Sequence, residues 1–170
     1  MNRSEWLPRK FRTAPILVSL VGLATIFTFA CLQPKTTGPI VPQSPLQEVA
    51  AWNDLIAQGN AQVGQTSRQL NAIGKLSVKD TAAINSWTAT IAARGKKITA
   101  IIDAANTLDA ATASSLMEEF SAISEAGNQL LSSGDLFVSN PQSKAAIAAI
   151  ITETVATATL AVQGIQALEK

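Results

Sequence analysis

The sequence contains no histidine and no tyrosine, and Cys31 is its single cysteine. Histidine is the commonest general base near neutral pH and the commonest metal ligand. The chain also lacks the Glu-x-x-His pair of di-iron bundles, the Cys-x-x-Cys-His motif of haem attachment, the Gly-x-Ser-x-Gly elbow of hydrolases and a glycine-rich phosphate loop. We therefore expect no enzyme activity, no metal site and no cofactor. A disulfide within the chain is excluded, because a second cysteine is missing.

Charged and aromatic residues are scarce, at 15% and 5% of the chain. Beyond residue 31 the chain has nine Lys and Arg against eleven Asp and Glu. This balance gives no electrostatic basis for binding nucleic acid. Because aromatic side chains are so few, we expect no stacking platform for bases or sugars and no nucleic-acid partner.

The longest uncharged apolar run is Ala14 to Cys31, and Arg3, Arg9, Lys10 and Arg12 precede it. Basic residues before an apolar segment that ends in small residues are typical of an export signal, because the basic flank stays in the cytoplasm while the apolar segment enters the bilayer. We therefore predict that the chain after residue 31 leaves the cytoplasm.

The end of this run, Thr28-Phe29-Ala30-Cys31, resembles the lipobox of bacterial lipoproteins. Ala30 and Cys31 match the motif, whereas Thr28 and Phe29 stand where leucine and a small residue are usual. The resemblance implies cleavage before Cys31 and acylation of its thiol and new amino group, and several acyl chains anchor a protein durably. By resemblance to enterobacterial sorting, Leu32 in place of aspartate favours the outer membrane.

Two other fates of the apolar run remain open. About 17 apolar residues are near the lower limit for crossing a ~30 Å hydrocarbon core, so the segment could be retained as a membrane helix with Cys31 inside it. Thr28-x-Ala30 also suits ordinary signal cleavage, which would release a soluble protein. The position of Cys31, immediately before a proline-rich stretch, favours lipidation.

The remaining chain divides into a tether and one domain. Residues 32–45 hold four of the seven prolines, and an extended polyproline II tether of ~3.1 Å per residue would reach about 40 Å. Residues 46–170 are enough for one domain with a core. The predicted organisation is therefore a signal or anchor over 1–31, a linker over 32–45 and a helical domain over 46–170.

Four helices are predicted over 46–73, from Ser77 or Asp80 to about 105, over 110–132 and over 141–168, because apolar residues recur at helical spacing and Pro141 is the one proline after Pro45. Short connections between them favour an all-α, up-down-up-down four-helix bundle. The predicted core positions are Val49, Trp52, Ile56, Gly59, Val63, Thr66, Leu70, Ile73, Ile84, Trp87, Ile91, Ile98, Ile101, Leu116, Phe120, Ile123, Gly127 and Leu130.

The fourth predicted helix is apolar around its whole circumference, which indicates burial on more than one side. A second membrane span is the alternative. Glu153 lies near the middle of this helix, and a carboxylate there costs about 2.5 to 3.5 kcal/mol on insertion. We therefore expect this helix to belong to the bundle.

Local features suggest few sites. Arg94, Lys96 and Lys97, with Lys75 and Lys79, could form a basic patch for anionic lipid or a cell-wall polymer, although a solvated helix face is the better account of them. We expect Arg94 to lie at the rim of the core or to pair with Glu118 or Glu119. The acidic residues Glu118, Glu119 and Glu125 are expected on a solvent face, and Trp52 and Trp87 are expected in the core rather than around a ligand.

The sequence thus predicts a bacterial envelope protein, lipidated at Cys31 or held by a membrane helix, that faces the periplasm or the cell exterior. Its bundle is expected to act as a structural or protein-interaction module. The alternative is a periplasmic, sensor-like bundle that binds a small ligand and acts through a partner protein.

Overall fold

A computed structural model describes residues 44–134, 136, 138 and 140–168. The signal, Cys31 and almost all of the tether lie outside these described residues. Within them, 87% of the residues are helical and no strand occurs. The four helices are α1 (Pro45–Ala72), α2 (Val78–Ala104), α3 (Ala110–Ser132) and α4 (Pro141–Leu168). The all-α class and the four helices are confirmed.

Each helix begins at a residue whose side chain accepts hydrogen bonds from the first turn. Ser44 and Ser77 form capping boxes with the residues three positions later. Asp109 accepts from the backbone N–H of Thr112 at 2.8 Å, and this hydrogen bond lowers the pKa of Asp109. The Oδ1 atom of Asn140 accepts from two backbone N–H groups of the first turn of α4. The sequence therefore determines the helix starts locally.

Two of the connections turn at glycines with positive φ, Gly74 (66°) and Gly134 (68°). Such a backbone conformation is strained for other residues, so glycine ends α1 and α3 cleanly. Leu136 and Val138, in the α3–α4 connection, are buried. Both side chains belong to the hydrophobic core.

The core follows the predicted periodicity, since most predicted apolar positions are buried. The fully buried large side chains are Val49, Ile56, Val63, Ile84, Ile91, Ile98, Leu116, Phe120, Ile123, Ile147, Ile151 and Ile165. Ile73 was predicted in this core, and that prediction is wrong. Ile73 lies just beyond the last turn of α1 and is 66% exposed.

Each helix packs on two others: α1 on α2 and α4, and α3 on α2 and α4. Between α1 and α2, Asn53 bonds Gly95 and Asn60 bonds Thr88. The residue numbers therefore rise along one helix as they fall along the other.

The same opposite order of residue numbers holds between α4 and each of its two neighbours, α1 and α3. A Cβ atom at Gly164 would meet Trp52, whereas a Cβ atom at Gly59 would lie 2.5 Å from Oγ1 of Thr154. Towards α3, the hydroxyl of Ser124 contacts Val155 and Thr159, and a Cβ atom at Gly127 would meet Val155 and Ile151. Small residues at these crossings let the helix backbones come close.

The helix α4 is long and apolar enough to cross a membrane by length and composition. In the structure its buried positions form one stripe: Ser143, Ile147, Ile151, Thr154, Ala158, Ala161 and Ile165. The expectation that α4 is buried on several sides is therefore wrong. Its outer face consists largely of Ala, Thr and Gln, with Leu160 59% exposed, and short side chains expose little apolar surface, so the outer face is compatible with water.

Candidate functional site

The predicted basic patch contains an ion-pair cluster between α2 and α3. One guanidinium nitrogen of Arg94 lies 2.9 Å from Oε2 of Glu119, and Nζ of Lys97 lies 3.4 Å from Oε1 of the same carboxylate. The Glu119 side chain is 11% exposed, against 33% for Arg94 and 61% for Lys97. Arg94 therefore lies at the rim of the core and pairs with a carboxylate, so both expectations for it apply together.

The prediction that Glu119 lies on a solvent face together with Glu118 and Glu125 is wrong. Glu118 and Glu125 are exposed, but Glu119 is buried. Burial raises the pKa of Glu119, while the hydrogen bond and charge of Arg94, followed by those of Lys97, lower it. The lowering effects are the larger, so the carboxylate is ionised at neutral pH with its pKa below the ordinary value. This cluster is a structural link between α2 and α3, with one positive charge in excess.

Lys96 lies on a different surface of α2 from Arg94 and Lys97. It is exposed and lines a groove of about 280 Å³ between α1 and α2. Lys75 and Lys79 are farther away along the molecule, because fifteen residues of α2, about 22 Å of helix, separate Lys79 from Arg94. The five cations of the predicted patch are therefore divided among three places.

The groove beside Lys96 has a polar floor that was not predicted. The Nδ2 atom of Asn53 donates to the carbonyl of Gly95 and to Thr99, and that of Asn60 donates to the carbonyl of Thr88. Because a carbonyl only accepts, these bonds fix the orientation of both amides. The Oδ1 atoms of both asparagines are buried and have no partner among the described residues.

A sequence signal for this floor did exist. The side chains of Asn53, Asn60 and Ser67 repeat every seven residues, each four positions after a core valine or isoleucine. Asn53 and Ser67 are buried and Asn60 is half-buried. The spacing predicts a polar stripe along one edge of the apolar stripe of α1.

The two tryptophans lie in different contacts. Trp52 packs on Gly164 of α4, whereas Trp87 is 4% exposed and packs beside Gly127 of α3. Trp87 also lines an open cleft between α2 and α3, and its Nε1 atom is buried without a partner in the described part of the chain. The structure does not bring the pair together around one slot.

Among the described residues, no group of three or more His, Cys, Asp or Glu side chains is placed to hold a metal ion. Cys31, the predicted lipidation site, lies outside these residues. Comparisons of the chain with protein-family models, with curated proteins and with solved structures found no match. The function is therefore argued from the chain's own residues.

Proposed function

We propose that this chain is a membrane-tethered bacterial envelope protein whose helices form an up-down-up-down bundle and act as a structural or protein-interaction module. The observation that supports the anchor is the N-terminal sequence itself. Four basic residues precede an uncharged apolar run that ends at the single cysteine, Cys31, and the proline-rich tether follows at once. Lipidation of Cys31 would hold the helices outside the cytoplasm.

The opposite order of contacts along neighbouring helices supports the up-down arrangement. The short connections between successive helices also favour antiparallel neighbours. In such a bundle, α1 begins at the end of the domain nearest the tether. The turn between α1 and α2 then lies at the far end, about 40 Å away for a helix of 28 residues.

Intact mass and membrane fractionation of the expressed chain and of a Cys31→Ser variant test the anchor. The expected product is membrane-bound, begins at residue 31 and carries acyl chains, and the variant is not processed in this way. If both chains keep the full precursor mass in the membrane, residues 14–30 form a retained helix instead. If both are found only in the soluble cytoplasm, the envelope proposal is wrong.

A second function, ligand binding by a sensor-like bundle, is supported by the polar groove between α1 and α2. Two buried amide oxygens, those of Asn53 and Asn60, lack partners there, and an unpaired buried acceptor costs about 1 to 3 kcal/mol. Lys96 and Asp54 also line this groove. A small molecule with a carboxylate would pair with Lys96, and its N–H donors would reach the enclosed asparagine oxygens once the side chains around them move aside.

Thermal unfolding of the purified chain with a set of amino acids and amines tests this second function. A true ligand at a hundred times its dissociation constant stabilises the folded state by about 2.7 kcal/mol. The increase should disappear in an Asn60→Leu variant, which removes one unpaired oxygen. An Asn128→Leu variant, altered at an exposed position of α3, serves as the control. No increase with any compound would remove the support for this function.

A further inference from the structure

The turn between α1 and α2 carries the two most exposed large hydrophobic residues of the described chain. Val78 is 89% exposed and Ile73 is 66% exposed. Leu76, between them, is 8% exposed and belongs to the core. Leu76 thus anchors the turn in the core, while Ile73, three residues before it, and Val78, two residues after it, are exposed to solvent. Solvent-exposed aliphatic side chains on a well-anchored turn are available for contact with another surface.

This end of the molecule is also basic. The segments 66–84, 127–134 and 140–147 meet there, because α1 and α3 end where α2 and α4 begin. Among these described residues, Arg68, Lys75 and Lys144 are exposed cations, and Asp80 is the acidic residue. The carboxylate of Asp80 is 1% exposed and accepts hydrogen bonds from Ser77. The exposed charge around Ile73 and Val78 is therefore predominantly positive.

The opposite end has the reverse charge. The segments 44–58, 98–116 and 158–168 lie there and contain no Lys or Arg. Their charged residues are Glu48, Asp54, Asp103 and Asp109. Among the described residues, positive charge and exposed aliphatic side chains therefore occur together at the end far from Ser44, whereas the exposed Leu55 and Leu160 lie at the acidic end.

We propose that the α1–α2 turn, with Ile73, Lys75 and Val78 at its centre, binds the surface of an anionic lipid bilayer. Aliphatic side chains can enter the boundary between headgroups and acyl chains, and lysines near an anionic surface add attraction. A single turn at the end of a helix pair is much smaller than the ~800 Å² per partner of a standard protein interface. Lipid binding therefore fits the turn better than a protein partner does.

Together with the proposed N-terminal anchoring, on which this step rests, the location of the turn would put two membrane-binding parts at opposite ends of the domain. The tether leaves from one end of the domain, and the lipid-binding turn lies at the other. A protein anchored through its N-terminus in one bilayer could then touch a second bilayer with this turn. The helices of the domain are about 40 Å long and would contribute that length to the spacing between the two surfaces.

Vesicle bridging by the full chain tests the inference. The chain is reconstituted into neutral phosphatidylcholine vesicles, and flotation shows whether it stays with them. Labelled acceptor vesicles, either neutral or containing phosphatidylglycerol, are then added, and their association is measured by co-sedimentation. We expect capture of the anionic acceptors only, and weaker capture as salt shortens the Debye length below about 10 Å.

Substitutions at the turn give the sharpest comparison. The double variant Ile73→Ser, Val78→Ser should lower capture about tenfold or more, and Lys75→Gln should lower it about fivefold. Matched controls are Leu55→Ser with Leu160→Ser, which removes exposed aliphatic residues elsewhere, and Lys96→Gln, which removes a cation elsewhere. These controls should leave capture unchanged. Far-ultraviolet circular dichroism shows that each variant remains helical.

Several results would overturn the proposal. Equal capture of neutral and anionic acceptors would exclude recognition of anionic lipid, and equal losses in the turn variants and the controls would exclude the turn. Clustering of the protein-bearing neutral vesicles among themselves would identify a second copy of the chain as the partner. If flotation instead shows that the chain leaves the first vesicles, the anchoring proposal fails, and direct sedimentation of the chain with anionic vesicles then tests the turn by itself.

Discussion

The indole ring of Trp52 on α1 lies against the backbone of Gly164 on α4, and a Cβ atom at residue 164 would overlap its six-membered ring. Trp52 is half-buried and packs on the core from the edge of the α1–α4 contact. The missing side chain at residue 164 thus sets how closely α1 and α4 approach. A rigid ring cannot move away by rotating a flexible end, so this contact is sensitive to added volume.

Gly164→Ala should therefore destabilise the fold. Alanine gains up to about 1 kcal/mol of helix propensity, but overpacking against a rigid ring costs about 1 to 3 kcal/mol, and we expect a net loss of about 1 kcal/mol. Urea unfolding in mild detergent, followed by circular dichroism, measures it. Gly64→Ala is the control, since the atom nearest to a Cβ there is the mobile end of Arg68 at 3.5 Å. That variant should be slightly more stable than the parent, and equal behaviour of the two would contradict the close contact.

The ion-pair cluster predicts a pH-dependent stability. The pKa of Glu119 is lowered in the folded chain, so its contribution is complete above the unfolded pKa of about 4.3 and is lost as the pH falls through the folded value. At neutral pH, Glu119→Gln should cost about 1 to 2 kcal/mol, between the values of exposed and fully buried pairs. In acid, once the pH has fallen below the lowered pKa of the folded state, the variant and the parent should converge.

The control for this pair is Glu118→Gln, which removes the same charge from the exposed neighbouring position. Its effect should stay within about 0.5 kcal/mol at both pH values. A Glu119→Gln effect that persists unchanged in acid would show that packing, rather than the charges of Arg94 and Lys97, stabilises this contact.

Substitution by lysine should have very different effects on the exposed side and on the buried side of α4. Leu160 is 59% exposed, whereas Ile151 is fully buried. Leu160→Lys should change the unfolding free energy by no more than about 0.5 kcal/mol, whereas Ile151→Lys places an unpaired charge in the core and should prevent folding. Circular dichroism and urea unfolding of the two variants provide the comparison. If α4 crossed a bilayer instead, lysine would be costly at both positions.

The start of α2 predicts a capping effect. Oγ of Ser77 accepts from the backbone N–H of Asp80 at 3.0 Å and donates to its carboxylate. Ser77→Ala should cost about 1 kcal/mol or somewhat more. Ser115→Ala is the matched control, because the hydroxyl of Ser115 bonds only the carbonyl of Ala111 within its own helix. A loss of the same size at Ser115, measured by urea unfolding, would show that the effect is not due to capping.

The predicted helix bounds agree closely with the structure because the signals that set them are local. Serine, aspartate or asparagine caps, Pro141 and the two turn glycines act within one helical turn. Pro45, the last residue of the predicted linker, is the first residue of α1. For example, the predicted range 46–73 compares with Pro45–Ala72 in the structure. The repeat of large apolar residues also located most of the core, since few such residues occur elsewhere.

Which acidic residue pairs with Arg94 could not be predicted in the same way. Glu118 and Glu119 are adjacent, and a rotation of α3 by about 100° would exchange them. The stripe of Leu116, Phe120 and Ile123 fixes that rotation only once α3 is packed against its neighbours. The same holds for the cations of the predicted patch, whose directions depend on how α2 is turned within the fold.

The sequence by itself determined the helical class, the ends of the four helices and most core positions, because caps and apolar spacing are properties of neighbouring residues. Only the tertiary structure decided that Glu119 is buried beside Arg94 and Lys97, that Asn53 and Asn60 bond α2, and that Trp52 rests on Gly164. These contacts join residues 22 to more than 100 positions apart. In helices rich in Ala, Ser and Thr, either face can be buried at small cost, so the pairing of helices selects the face.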